Sequence, residues 1–285
     1  MLGDHLLGIY EKALDANDDW PTRLNKARSL GFDFLEISID ENNERLARLD
    51  WTRDERERLR RAVYESQLPI LSMCLSAHRR FPFGSADLAL RDKAYEIIEK
   101  AIDFAGDLGI RTIQLAGYDV YYEHSTQESE RLFYEGLYWS AKRASRRGVM
   151  LALEIMDTPF LNSITKHLFY ETEIDSPWLK VYPDIGNLTA WGNDVVSELK
   201  KGRGSIVQVH LKDTLAVKQG FDGQFKNVPF GSGCVDFPLC FETLELQGYR
   251  GPYLIEMWHQ PGQNDLEEVS RARTWIENQF NKVVR

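Results

Sequence analysis

Four apolar runs in this sequence each lead to a side chain that can bind a metal ion or move a proton. The runs cover residues 151–154, 181–184, 206–210 and 253–256, and they end in Glu154, Asp184, His210 and Glu256. Parallel strands lying side by side would bring these four side chains to one edge of a sheet. Three carboxylates in a region of low dielectric repel one another, and a divalent cation relieves that repulsion. The sequence therefore predicts one metal site.

The ligand set narrows the type of metal site. Three oxygen ligands and one nitrogen ligand suit Zn²⁺, Mn²⁺, Co²⁺ or Mg²⁺. A purely structural zinc site is disfavoured because the set contains no cysteine. A single acid after a strand most often caps a helix, but such residues on four successive strands favour a shared site. A glutamate that binds a metal through one oxygen can also transfer a proton, so Glu154 and Glu256 are candidate catalytic residues.

The elements that must position these residues alternate along the whole chain. Eight apolar runs are each followed by a helical pattern, as in residues 90–108, where apolar residues recur every three or four positions and Gly109 ends the helix. Thr52 and Glu55 form a capping box at the start of another helix. The order predicts an α/β fold, a single (β/α)8 TIM barrel over residues 1–285, with a long loop at about 214–235. An open doubly wound sheet is disfavoured because no Gly-x-Gly-x-x-Gly follows a strand.

Composition excludes several classes of function. The chain has 285 residues, 43% of them hydrophobic, and a formal net charge of −9. An acidic protein is a poor partner for nucleic acid, because that affinity depends on neutralising phosphates. The sequence contains no run of 18 apolar residues, so it predicts no membrane span. The three cysteines do not have the spacing of metal ligands. We therefore expect a cytoplasmic protein with reduced cysteines, no membrane and no nucleic-acid partner.

Several motifs resemble those of known sugar-converting enzymes. The segments 152–157, 182–187, 209–213 and 254–258 look like the isomerase and epimerase barrels related to xylose isomerase. The segments 8–13, 72–82 and 114–122 closely resemble the L-ribulose-5-phosphate 3-epimerases, a bacterial family also called L-xylulose-5-phosphate 3-epimerases that serves L-ascorbate degradation. The resemblance covers essentially the whole chain. It implies a homodimer that acts on a small-molecule sugar phosphate.

The resemblance also implies roles for the four residues. In that family the matching Glu154, Asp184, His210 and Glu256 bind one divalent metal, and the two glutamates act as acid and base. Inversion at C3 of a ketopentose 5-phosphate removes a proton next to a carbonyl, and a metal would stabilise the cis-enediolate that forms. An aldose–ketose isomerase, a dehydratase or another ketose 3-epimerase could use the same groups. A non-catalytic sugar-binding barrel and an endonuclease-like barrel are further alternatives, the last opposed by the net charge.

Further residues near predicted strand ends are candidates for binding the substrate. They are Tyr10, Glu36, His78, Arg79, Asn187, Lys212 and Ser232. For Tyr10, Glu36 and His78 a packing role or a role in supporting the metal ligands stays open.

The glycines in residues 230–233 could let backbone amides approach a phosphate, or could simply turn the chain. Relatives usually carry an acid where Ser232 stands, and the stretch 215–224 looks longer than in the family. Some epimerases of unphosphorylated ketoses have a histidine at the position of Asn187. The asparagine in this sequence favours a different mode of substrate binding.

Overall fold

Eight parallel strands surround the centre of the molecule. The computed structural model describes residues 2–283. The strands are β1 (Leu7–Tyr10), β2 (Phe34–Ile39), β3 (Ile70–Leu75), β4 (Thr112–Ala116), β5 (Met150–Glu154), β6 (Leu179–Tyr182), β7 (Val209–Leu211) and β10 (Tyr253–Ile255). Nearly all their residues are buried, as expected for strands covered by helices on one side and filled by side chains on the other. The predicted α/β class is confirmed.

The sheet is a closed barrel. Its strands follow the order β6-β5-β4-β3-β2-β1-β10-β7, and parallel bridges from Val181 to Ile206 and from Asp184 to His210 join the two ends. The closing bridge therefore pairs two of the predicted metal ligands directly. The predicted (β/α)8 barrel is confirmed.

Helices form the outer ring and the rim. They are α1 (Trp20–Ser29), α2 (Asn43–Leu46), α3 (Arg53–Ser66), α4 (Leu88–Leu108), α5 (Gln127–Arg147), α6 (Ile164–Ile174), α7 (Ile185–Ala190), α8 (Val195–Lys201), α9 (Phe237–Leu246) and α10 (Asp265–Phe280). Thr52 and Glu55 form the predicted capping box of α3, and Gly109 ends α4 in a left-handed conformation. The short helices α2 and α7 were not predicted, because each is too short to show a helical period. None of the helices within residues 2–283 combines the length and apolar character needed to cross a membrane.

The predicted long loop after strand seven contains regular structure. Residues 213–228 form an antiparallel hairpin, the mouth hairpin, whose strands are β8 (Asp213–Leu215) and β9 (Gln224–Val228). Polar and apolar residues do not alternate clearly in this segment, because β9 is mostly exposed. The hairpin matters for the site because it carries Lys226 to the barrel mouth.

Candidate active site

The barrel gathers the four predicted ligands at the carboxyl ends of its strands. One ligand atom each from Glu154, Asp184, His210 and Glu256 can be chosen so that all lie within 4.8 Å of one another, and all four residues are buried. His210 Nδ1 lies 3.0 Å from Glu154 Oε1, and 3.9 Å from both Asp184 Oδ2 and Glu256 Oε2. Opposed ligands of a small divalent ion are roughly 4 Å apart. The cluster is therefore close to the size that one ion requires.

Strand pairing explains why these residues meet. Glu154 is the last residue of β5, Asp184 follows β6 by two residues, and Glu256 directly follows β10. His210 lies inside β7, where it pairs with Leu254 on one side and bridges to Asp184 on the other. Asp184 also caps α7, because its Oδ1 accepts the N–H of Asn187 at 2.8 Å. That hydrogen bond directs the other oxygen of Asp184 toward the cluster.

Lys212 adds a positive charge beside the carboxylates. Its Nζ lies 2.7 Å from Asp184 Oδ2 and 2.9 Å from Glu256 Oε2. Both oxygens are buried, and neither accepts an aligned hydrogen bond from any residue in the range 2–283. Buried carboxylate oxygens without donors are costly, and a cation satisfies them. The donor set fits a divalent metal ion, as do two buried carboxylate oxygens that share a single ammonium group.

The charges of the cluster also fit a dication. When all three carboxyl groups are ionised, they and the Lys212 ammonium sum to −2, which one divalent ion would balance. Burial, together with the charges of Glu256 and Glu154, raises the pKa of Asp184 to about 7 against the opposing effect of Lys212. Burial would also raise the pKa of Glu256, but Lys212 and His210 outweigh it and lower the pKa to about 2. The pKa values of these neighbouring carboxyl groups are thus shifted in opposite directions, and perturbed pKa values of this kind are common at functional sites.

The raised pKa of Glu154 has a similar origin. Burial raises the pKa of this carboxyl, and the charge of Glu256 adds to it, whereas a hydrogen bond with His210 opposes the shift. Its Oε2 accepts a short hydrogen bond from the side-chain amide of Gln114 on β4. Glu154 is therefore held in place by a neutral donor on one oxygen and by the imidazole on the other.

Two neighbouring cavities lie at the barrel mouth. A cavity of about 50 Å³ lies at the cluster, and one of about 600 Å³ is lined in part by residues of α10. Both are lined by Lys212, Glu256 and Trp258. A volume of this size is typical of sites for small molecules.

Sequence reasoning missed two cations that line the smaller cavity, Lys12 and Lys226. Lys226 comes from the mouth hairpin, and its Nζ lies 5.5 Å from the ring centre of Trp258. Lys12 follows β1 and pairs with Asp40. Lys12 could have been found from its position just after a strand, whereas the position of Lys226 depends on how the hairpin folds over the mouth.

Three of the predicted substrate-binding residues line the smaller cavity beside Lys212. Tyr10 is buried, and its hydroxyl lies 3.0 Å from Ser38 Oγ. Asn187 directs its amide N–H to the carbonyl of Ile155, and its Oδ1 has no donor within residues 2–283. Arg79 Nη2 donates to Tyr118 OH at 3.2 Å.

The other three predicted residues lie elsewhere. Glu36 is fully buried beneath the cluster, where its Oε1 lies 3.1 Å from His210 Nε2. His78 is buried between Phe83 and the Ala94 carbonyl of α4. Ser232 is exposed in the loop before α9. None of the three lines the two cavities, so their sequence positions near strand ends did not determine where their side chains point.

The glycine loop does not offer free amides, so the structure favours the second of the two roles that its sequence allowed, a turn of the chain. Gly231 and Gly233 each donate their N–H to Asp213 Oδ2 at 2.9 Å, and Ser232 donates to the Pro229 carbonyl. A Cβ at Gly233 would lie 2.1 Å from Asp213 Oδ1, so only glycine allows this close approach. The loop is therefore built around the Asp213 carboxylate and does not bind an anion through these amides.

Comparison with known proteins gives a consistent assignment. The family model for the xylose isomerase-like TIM barrel matches residues 24–279. The chain is 55% identical over 276 residues to "L-ribulose-5-phosphate 3-epimerase UlaE" of Escherichia coli (strain ATCC 8739), covering 97% of this chain and 95% of the relative. The relative of the same name from Escherichia coli O157:H7 gives the same values.

Solved structures agree at the level of the fold. The structure described as "Structure of L-ribulose 3-epimerase" superposes with a TM-score of 0.76 at 20% identity, over 97% of this chain and 95% of the other. Identity this low supports the barrel architecture alone. Together with the sequence relatives, it leads to one conclusion: the chain belongs to the xylose isomerase-like TIM barrel family and, within it, to the L-ribulose-5-phosphate 3-epimerases.

Proposed function

We propose that this protein is an isomerase that inverts C3 of a ketopentose 5-phosphate, interconverting L-ribulose 5-phosphate and L-xylulose 5-phosphate. The observation that carries the proposal is the buried cluster of Glu154, Asp184, His210 and Glu256 at the barrel mouth. Relatives that share 55% of their residues with this chain are named for this reaction. We propose that it serves L-ascorbate degradation and acts in the cytoplasm.

The four cluster residues would hold one Zn²⁺, Mn²⁺, Co²⁺ or Mg²⁺ ion. Bound there, a divalent ion supplies charge stabilisation to an enediolate formed from the substrate. Glu154 and Glu256 come from β5 and from the residue after β10, on the two outer sides of the set β5-β6-β7-β10. One carboxylate would remove the proton from C3 and the other would return a proton on the opposite face.

Asp184 and His210 lie between the two glutamates and would act as ligands only. Lys212 would hold the ligand carboxylates of Asp184 and Glu256 in place. Because both of those carboxylates neutralise Lys212, it is a weaker candidate for the phosphate than its sequence position indicated.

The phosphate subsite is proposed at the cationic rim of the smaller cavity. Arg79 and Lys226 both line it, and Lys226 is not paired with a carboxylate in any ion pair among residues 2–283. Desolvation at the mouth, and then the charge of Arg79, lower the pKa of Lys226. A cation whose charge is disfavoured by burial and by a neighbouring cation is stabilised when an anion binds beside it. Tyr10 and Asn187 are proposed to contact the sugar, and Trp258 to lie under it.

The proposal of a homodimer comes from the family resemblance. The long helix α5 carries Tyr138, which is 49% exposed and would be covered in a dimer. Light scattering after size-exclusion chromatography tests this directly, and a monomeric mass at micromolar concentration would contradict it.

The decisive test of function is hydrogen exchange of the substrate in D₂O. L-ribulose 5-phosphate incubated with metal-loaded protein should gain deuterium at C3, and a chelator should stop the exchange. Deuterium at C1 alone would instead indicate an aldose–ketose isomerase. Saturable binding without exchange at any carbon would indicate a non-catalytic sugar-binding barrel.

A further inference from the structure

A layer of polar side chains fills the barrel interior directly below the cluster. Its members are Glu36, Ser72, Tyr182 and Gln208, and each is at most 2% exposed. Barrel interiors are mostly filled by branched apolar residues, because buried polar groups are costly unless every hydrogen bond is made. A carboxyl group in the centre of this layer therefore needs hydrogen-bond partners, and its presence indicates a role other than packing.

The hydrogen bonds of the layer converge on Glu36. Its Oε2 accepts from Ser72 Oγ at 2.6 Å and from Tyr182 OH at 3.0 Å. Gln208 donates its amide to Ser72 Oγ at 3.0 Å and also bonds Tyr182 OH. The Oε1 of Glu36 faces His210 Nε2 at 3.1 Å. Glu36 therefore accepts two hydrogen bonds at one oxygen and presents its other oxygen to the imidazole.

The imidazole of His210 connects this polar layer to the cluster. His210 turns Nδ1 toward Glu154, Asp184 and Glu256, and turns Nε2 toward Glu36. Both ring nitrogens face a carboxyl group, Nδ1 facing Glu154 at 3.0 Å and Nε2 facing Glu36 at 3.1 Å. A cation held by the cluster would take the lone pair of Nδ1, which leaves the ring proton on Nε2, where Glu36 can accept it. The lone pair of Nδ1 then points into the cluster, as metal binding requires.

We propose that Glu36 is a positioning residue: it accepts the Nε2–H of His210 and so keeps the Nδ1 lone pair directed at the cation bound by the cluster. The inference rests on the proposed function, because it requires a cation at that place. Ser72, Tyr182 and Gln208 hold Glu36 in the orientation that this contact needs.

The test compares metal affinity in matched variants. Glu36→Gln keeps the size of the side chain but replaces the charged acceptor, so we expect Co²⁺ to bind about 10- to 100-fold more weakly in calorimetric titration. The control is Glu245→Gln, which removes the carboxylate from a similar histidine–glutamate pair outside the cluster. In that pair Glu245 Oε1 lies 2.5 Å from His5 Nε2. Glu245→Gln should bind Co²⁺ as the wild type does. An affinity of Glu36→Gln within twofold of wild type would overturn the inference, even if its melting temperature falls.

A second measurement needs no variant at position 36. In Zn²⁺-loaded wild-type protein labelled with [¹⁵N]histidine, the ring proton of His210 should be found on Nε2, with the signal assigned by its loss in His210→Gln. A proton on Nδ1 would refute the proposed role of Glu36.

The outcomes separate this inference from the proposed function. Wild-type protein that binds Co²⁺ but exchanges no C3 proton would refute the epimerase, while the affinities would still decide the role of Glu36. Normal exchange with an unchanged Glu36→Gln affinity would refute the role of Glu36 alone. A wild-type protein that binds no divalent ion would refute both.

Discussion

At the scale of single residues, the site depends on neighbouring carboxyl groups that behave differently. Glu154 has a raised pKa and a neutral donor in Gln114, whereas Lys212 and His210 lower the pKa of Glu256. The difference follows from which partner each side chain meets, because burial alone would raise the pKa of both. A two-base epimerase requires such a pair.

Replacing either glutamate tests the assignment of acid and base. Glu154→Gln and Glu256→Gln should each reduce kcat by about 10²- to 10⁴-fold or more, because the amide cannot transfer a proton. Substrate should still bind, as measured by calorimetry on the metal-loaded variants. Glu198→Gln is the matched control: Glu198 is buried but bonds Thr165 and Lys201 on the outer helices. Near-normal turnover in either cluster variant would contradict the two-base mechanism.

Lys212 should contribute most to the free energy of unfolding when no metal is bound. Without a cation, its ammonium is the charge that neutralises Asp184 and Glu256, so Lys212→Met should lower the free energy of unfolding by about 3 to 5 kcal/mol in EDTA. With saturating Mn²⁺ the loss should be smaller. Urea unfolding under both conditions measures this.

The control for that experiment is Lys201→Met, which breaks a half-exposed pair with Glu198 and should cost at most about 1 kcal/mol in either condition. Equal losses for Lys212→Met with and without Mn²⁺ would show that Lys212 does not share the role of the cation.

At the scale of elements, the mouth hairpin combines a mostly buried strand, β8, with a mostly exposed strand, β9. Strand β9 is mostly exposed, and its contacts include a ring pair between Phe225 and Trp191 at 5.9 Å and the approach of Lys226 to Trp258. Elements with few buried contacts open at low free energy. A hairpin of this kind can supply a charge to the substrate without fixing the geometry of the catalytic cluster.

Lys226 should therefore affect substrate binding more than chemistry. Lys226→Met should raise KM for L-ribulose 5-phosphate about 10-fold or more, as expected for a lost charge-assisted hydrogen bond, with little change in kcat. Unphosphorylated L-ribulose should be used equally well by both proteins. Lys218→Met, an exposed lysine on the same hairpin, is the control and should leave both constants unchanged. An unchanged KM would remove Lys226 from the phosphate subsite.

The capping box of α3 gives a prediction about stability alone. The Thr52 hydroxyl accepts a hydrogen bond from the backbone N–H of Glu55, and the Glu55 carboxylate accepts one from the backbone N–H of Thr52. Thr52→Ala should lower the free energy of unfolding by about 1 kcal/mol, measured by urea denaturation, and leave kcat and KM unchanged. A change in kcat would mean that α3 affects the site.

At the scale of the whole molecule, the free energy of unfolding should depend on pH through the buried histidine His78. Burial lowers its pKa to about 4, from an ordinary value near 6.5. Between these pH values the unfolded chain binds a proton that the folded protein does not, so stability falls as the pH falls from 6.5 to 4. The loss from this residue is about 3 kcal/mol, and above pH 6.5 it contributes no slope.

Urea unfolding of the wild type and His78→Gln across this range isolates the contribution, because the two proteins share all other titrating groups. The variant should show the shallower dependence on pH. Parallel curves for the two proteins would indicate that His78 titrates normally when folded.

The sequence by itself determined the barrel and the cluster of four candidate ligands. The alternation of apolar runs and helical periods requires parallel strands, and parallel strands place Glu154, Asp184, His210 and Glu256 at one end. These are local patterns, and each can be read within one strand or helix. The capping box of α3 and the end of α4 at Gly109 were predictable for the same reason.

Only the tertiary structure decided what the remaining residues contact. Position near a strand end did not separate Tyr10, which lines the cavity, from Glu36, which lies beneath the cluster, or His78, which packs against α4. The glycine loop directs its amides to Asp213, and the mouth hairpin brings Lys226 to Trp258. These contacts join residues far apart in the chain, so they depend on strand register and barrel closure, which no local pattern of residues contains.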